Sequence, residues 1–225
     1  MLRRPVFISG IKYGLFDRIF KAYVLILLMM VPAFADSQYK ILAYGDSLTA
    51  GYGLDAADAY PAKLAEMIKA NGINIEMINA GVSGETTQGG LNRLNWTLKH
   101  NPDLVLLGLG ANDALRFLSP ALAKDNLSQM IETLQAKDID VILLGMKAPR
   151  NQGGDYTEKF DQVFPDLAAK YGLALYPFLL EDVFGRADLN IADGLHPNAK
   201  GTHIMAKNIM PYVLKHLENK TKIME

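Results

Sequence analysis

Four short polar blocks in this sequence hold residue types capable of covalent chemistry. They are Gly45-Asp46-Ser47-Leu48-Thr49, Asn79-Ala80-Gly81-Val82-Ser83-Gly84-Glu85-Thr86-Thr87, Gly110-Ala111-Asn112-Asp113 and Asp193-Gly194-Leu195-His196-Pro197. A serine hydroxyl is a weak nucleophile until a base takes its proton. Of the four histidines, His196 is the best base. Asp193, three residues before it, can hold one ring nitrogen and fix the tautomer. Ser47 closely follows an apolar run, so it stands where a strand gives way to a turn. Acyl transfer through such a serine needs donors for the oxyanion of its tetrahedral intermediate. Asn112 offers a side-chain amide, Gly84 a backbone N–H that no side chain shields, and Ser47 its own N–H. Each residue also has a plain structural reading. Serine is common in turns, Asp193 and His196 could cap a helix, Asn112 could form an Asx turn, and Gly84 could supply a positive φ. Asp46, Asp113 and Asn79 read as residues that tie loops, and His100, His203 and His216 as surface residues.

The elements that must position these blocks are legible as two patterns. Apolar runs at Ile41–Tyr44, Ile75–Ile78, Leu104–Leu109, Val141–Leu144 and Leu173–Tyr176 are mostly apolar on both faces, as strands buried in a parallel sheet must be. Between them lie helix-period stripes. These are Tyr60, Leu64, Met67, Ile68; Leu91, Leu94, Leu98; Leu127, Met130, Ile131, Leu134; Phe160, Val163, Phe164, Leu167, Tyr171; and Met205, Ile209, Tyr212, Val213. Pro165 falls inside the fourth stripe and predicts a kink. The alternation predicts a doubly wound, three-layer α/β/α sandwich with right-handed crossovers. In such sheets function gathers at the carboxyl ends of the strands, and three of the four blocks follow an apolar run directly.

Taken together, the four blocks resemble the GDSL, or SGNH, hydrolase family. The resemblance rests on GDSL at 45–48, Gly84 in SGET, GAND at 110–113 and DGLH at 193–196, in that order, and it runs from about Lys40 to about Val213. The longer strings GDSLTAGYGL, NAGVSGETT and DGLHPNAKG are similar to those of exported arylesterases and of the acyl-CoA thioesterase I/lysophospholipase L1 type. The resemblance implies a flavodoxin-like five-stranded parallel sheet. It implies Ser47 as nucleophile, Asp193 and His196 as its triad partners, and Ser47, Gly84 and Asn112 as the oxyanion hole. It implies a serine esterase acting on carboxylic aryl or acyl esters without a cofactor or metal. Thioesterase or lysophospholipase activity at the same site is the alternative within that chemistry. A catalytically idle lipid- or glycan-binding module is the alternative outside it. The loops after the third and fourth runs would wall the acyl site, through Leu115 and Phe117 on one side and Pro149 and Tyr156 on the other. Gly153-Gly154 would make the second loop a lid.

One competing motif fails on position. Gly51-Tyr52-Gly53-Leu54-Asp55-Ala56 fits a dinucleotide fingerprint, which must open the turn directly after a strand. Here six residues intervene, and Asp55 and Asp58 would repel a pyrophosphate.

The 225 residues include 23 basic and 24 acidic side chains and no cysteine. Without cysteine there is no disulfide framework, thiolate metal site or thiol nucleophile. Residues 1–21 carry five basic side chains (Arg3, Arg4, Lys12, Arg18 and Lys21) and one acid, Asp17. The uncharged stretch 22–34 and Ala33-Phe34-Ala35 follow. Together they predict a secretory signal peptide cleaved after Ala35, although retention as an anchor is its rival. The apolar run is shorter than the ~20 residues that span a bilayer. Residues 36–225 would form a single domain in the periplasm or outside the cell. Removing 1–35 takes away five basic and one acidic side chain, so the net charge of −1 becomes −5. An acidic domain without a basic stripe argues against a nucleic-acid partner and leaves a small-molecule ester as the expected one.

Overall fold

The computed structural model describes residues 38–224. The signal segment expected at 1–35 lies outside the described residues. Residues from Gln38 on form one compact unit.

The apolar runs form five strands: β1 (Tyr39–Gly45), β2 (Ile75–Gly81), β3 (Leu104–Gly108), β4 (Asp140–Leu144) and β5 (Ala174–Tyr176). All pairings are parallel, and the order across the sheet is β2-β1-β3-β4-β5. Every residue of β3 is buried, as are Ile41–Tyr44 of β1. Both faces of the central strands are therefore covered, which explains why the runs do not alternate.

Helices α1 (Ser47–Ala50), α2 (Tyr60–Ala70), α3 (Thr87–Thr97), α4 (Ala111–Leu115), α5 (Pro120–Gln135), α6 (Gly154–Asp161), α7 (Val163–Tyr171) and α8 (Ala199–Met224) supply the cover. Helix α2 packs on α8, while α3 packs on α5 and α5 on α7. The apolar stripes point inward: Leu64, Ile68, Leu127, Met130, Ile131, Leu134, Met205 and Ile209 are fully buried. Burying one such side chain is worth about 1.5–3 kcal/mol.

Local chemistry sets the helix starts. Thr86 accepts the Gly89 N–H ahead of α3, and Ser119 with Pro120 opens α5. Asn198 accepts the Lys200 and Gly201 N–H groups ahead of α8. The kinked helix expected around Pro165 is instead two helices, interrupted at Gln162. Pro165 is the third residue of α7, where its missing N–H would have found no intrahelical acceptor. His216, expected at the surface, is part-buried: its Nε2 lies 3.0 Å from the Tyr39 hydroxyl and 3.4 Å from Asp140 Oδ2. His100 and His203 are exposed. Among the described residues no helix is long and apolar enough to cross a membrane.

Candidate active site

The strand order changes direction between β1 and β3, and the space above their carboxyl ends is the ligand position of doubly wound sheets. The first and third blocks project there. Gly45 ends β1 because the chain must pass close to β3: a Cβ at that position would lie 2.6 Å from the Gly108 carbonyl oxygen and 2.2 Å from Thr49 Oγ1. Asp46 then accepts the Leu48 N–H at 3.0 Å and caps the single turn of α1, whose first residue is Ser47. Asp46 is 1% exposed. Burial pushes its carboxyl up to about 7, against the lowering effect of the Leu48 N–H and of His196 nearby.

Although 149 positions separate them in sequence, His196 Nε2 lies 2.9 Å from Ser47 Oγ. His196 Nδ1 lies 2.6 Å from Asp193 Oδ2, and Asp193 Oδ1 accepts the backbone N–H groups of Leu195 and His196 at 2.9 and 3.0 Å. These backbone and ring contacts of His196, with the Leu195 N–H, hold the Asp193 carboxyl down at about 2. An ionised carboxylate on Nδ1 puts the ring proton there and leaves Nε2 as the acceptor facing the hydroxyl.

Gly84 has φ of 81°, a left-handed conformation that a side chain would strain. Its carbonyl accepts Arg116 Nη2 at 2.7 Å. The Asn112 amide donates to the Glu85 carbonyl at 3.0 Å, and a longer contact of 3.4 Å links it to Asp46 Oδ2. The second amide hydrogen is thus the weakly held one. Ser47, Gly84, Asn112 and His196 all line one cleft of about 390 Å³.

That cleft is mostly apolar and runs from Ser47 across the sheet to Phe178 and Phe184 beyond β5. Leu115 and Pro149, expected in its wall, are there. Phe117 and Tyr156 are not among the lining residues. Phe117 has φ of 56° and is exposed, and its ring stacks on that of Tyr156 with centroids 4.3 Å apart. The Tyr156 hydroxyl donates to the Leu118 carbonyl at 2.8 Å. The residues just before Gly153-Gly154 are anchored, by Gln152 donating to the Ala114 carbonyl at 2.7 Å and by an Arg150–Asp161 ion pair at 2.8 Å.

Sequence reasoning missed Tyr52, whose ring centroid lies 4.5 Å from that of His196. It sits inside the rejected dinucleotide string, where no chemistry pointed to it. Asp113 and Asn79 tie loops. Asp113 accepts the N–H and hydroxyl of Thr87 at 2.8 and 2.6 Å, and Asn79 bonds the Thr49 carbonyl and the Gly81 N–H. Among the described residues no group of three or more His, Asp or Glu side chains is arranged to hold a metal ion. A hydroxyl, imidazole and carboxylate in hydrogen-bonded series can carry out acyl transfer to water.

Comparison with known proteins points the same way. The family model described as GDSL-like Lipase/Acylhydrolase matches residues 43–204. An arylesterase of Vibrio mimicus is 36% identical over 194 residues, covering 86% of this chain and 97% of that protein. Thioesterase 1/protease 1/lysophospholipase L1 of Escherichia coli K12 is 35% identical over 204 residues, covering 88% and 97%. The crystal structure of AlinE4, an SGNH-hydrolase family esterase, is 47% identical, with a TM-score of 0.68 over 80% of this chain and 97% of that one.

Proposed function

Since the chain belongs to the GDSL-like lipase/acylhydrolase family, we propose that it is an exported serine esterase with Ser47 as its nucleophile. The observation that carries the residue roles is the series Ser47 Oγ, His196 Nε2, His196 Nδ1, Asp193 Oδ2, with spacings of 2.9 and 2.6 Å. His196 takes the Ser47 proton as Oγ attacks the ester carbonyl. Asp193 stays ionised and stabilises the imidazolium. The oxyanion is received by the N–H groups of Ser47 and Gly84 and by the Asn112 amide. His196 then protonates the leaving alcohol, and water repeats the cycle to free the acid.

The cleft favours an ester with an acyl chain over a bare acetyl ester. Leu115, Met146, Phe178 and Phe184 wall it, and no carboxylate is among its lining residues, although Lys147 and Arg150 are. Thioesters and lysophospholipids fit the same description, and the Escherichia coli relative carries those activities in its name. Export favours oxygen esters, because acyl-CoA is a cytoplasmic substrate.

The test is hydrolysis of p-nitrophenyl esters from acetyl to palmitoyl, beside acyl-CoA and lysophospholipid, with wild type and Ser47→Ala. Ser47→Ala should remain folded, lose turnover and fail to react with a fluorophosphonate probe. Wild-type rates should rise from acetyl to longer chains. Retained turnover in Ser47→Ala would overturn the assignment, and a wild type inert to both probe and esters would favour the binding-module alternative.

A further inference from the structure

Beneath the oxyanion donors lies a sequestered ion pair that acyl transfer does not use. Arg93, on α3, donates from Nε to both carboxylate oxygens of Glu85, each at 2.7 Å, and from Nη2 to Oε2. The Glu85 side chain is 8% exposed and that of Arg93 20%. Arg93 Nη2 also reaches the Ala80 carbonyl at 2.9 Å and the Gly45 carbonyl at 3.2 Å, and Nη1 reaches Thr97 Oγ1 at 3.3 Å. The guanidinium lies 4.0 Å over the ring of Tyr44.

The partners of this one cation define its reach. Gly45 is two residues before Ser47 and ends β1. Ala80 is the penultimate residue of β2, which leads into the Gly84 loop. Glu85 directly follows Gly84, and its backbone carbonyl is the strong acceptor of the Asn112 amide. The segments bearing Ser47 and Gly84 are therefore joined through a single planar group, and the Asn112 amide is tied to the second of them through the Glu85 carbonyl. A sequestered pair of this kind is weak evidence for stability, since apolar residues of similar volume often do as well. A hydrogen-bonded scaffold that fixes donor positions is a different matter: an oxyanion hole works only when its donors are in place before the charge develops.

We propose that Arg93 and Glu85 are a positioning pair that preorganises the oxyanion hole. The proposal rests on the reading of Ser47, Gly84 and Asn112 as the donors. Lysine keeps the charge at position 93 but cannot fork to a carboxylate and two carbonyls together. Glutamine at position 85 keeps the size and the backbone carbonyl but loses the paired charge.

The experiment compares Arg93→Lys and Glu85→Gln, alone and combined with Asn112→Ala, by kcat, KM and Tm on one p-nitrophenyl ester. Misplacing donors by about 1 Å should lower kcat by up to about 10²-fold with KM nearly unchanged. On the Asn112→Ala background the Glu85→Gln loss should shrink markedly, because the donor held by Glu85 is already gone. Glu85→Asp should recover part of the lost kcat. Folded single variants with wild-type kcat, or losses that multiply fully with that of Asn112→Ala, would overturn the positioning role. If Arg93→Lys does not fold, Glu85→Gln carries the same comparison. A wild-type kcat in Asn112→Ala alone would overturn the donor reading itself, and the role of the pair with it.

Discussion

At the residue scale, Asp193 and Asp46 are carboxylates on either side of one serine–histidine contact, and their surroundings push them in opposite directions. Asp193 accepts two backbone N–H groups and the imidazole and is held at about 2, below the ordinary 3.8. It therefore contributes stability above pH 4 that is lost as pH falls through about 2. Asp193→Asn should flatten the dependence of Tm on pH in that window. It should also lower kcat by about 10⁴-fold by presenting the wrong partner to Nδ1. Asp46 is raised to about 7 by burial. Its neutral form persists in the folded state after the unfolded chain has ionised, so its effect on stability falls as pH rises from about 4 to about 7. Asp46→Asn should remove that decline, measured as the difference in Tm between pH 4 and 7. In the proposed donor role, where Asn112 meets the substrate only at the oxyanion, Asn112→Ala should reduce kcat by about 10²–10³-fold with little change in KM.

At the element scale, the one-turn helix α1 exists because β1 ends in a residue without a Cβ. Gly45→Ala would force an atom 2.6 Å from a backbone carbonyl of β3. It should destabilise the fold by about 1–3 kcal/mol or more, seen as a fall in the urea midpoint together with lost activity. Gly154, at the start of α6, has open space where its Cβ would be. Gly154→Ala should be neutral or stabilising by up to about 1 kcal/mol in the same titration. Strands are legible as short runs apolar on both faces and helices from their period of 3.6, yet the fourth stripe covers two helices rather than one. A stripe records which side chains face the core and is blind to a break, because α6 and α7 both turn their apolar sides inward. The part-buried setting of His216 is hidden from the sequence for a related reason. Its neighbours on α8 could not reveal Tyr39, which lies 177 positions away.

At the scale of the whole molecule, the described unit begins at Gln38, close to the expected cleavage point after Ala35. A protein expressed as residues 36–225 should match the full-length protein in Tm and kcat. Intact-mass measurement of periplasmic material should give a chain starting at Asp36. A retained N-terminus in the membrane fraction would instead favour the anchor. The charge of −5 expected for residues 36–225 is not repeated in the cleft, whose lining holds two cations and no carboxylate.

The sequence by itself determined the chemistry on offer. A serine at a strand end, a histidine three residues after an aspartate, and an asparagine and a glycine in the loops between are local facts, and so are the apolar runs that aim them at one edge of the sheet. Tertiary structure alone decided which of those groups meet. Strand order brings Ser47 within 2.9 Å of His196, and a left-handed turn at Phe117 stacks its ring on Tyr156 outside the cleft lining. The fold also gathers the ends of two strands and a loop around Arg93. No spacing pattern encodes these meetings. They depend on strand order, register and the path of the turns, which are settled by packing across the whole core.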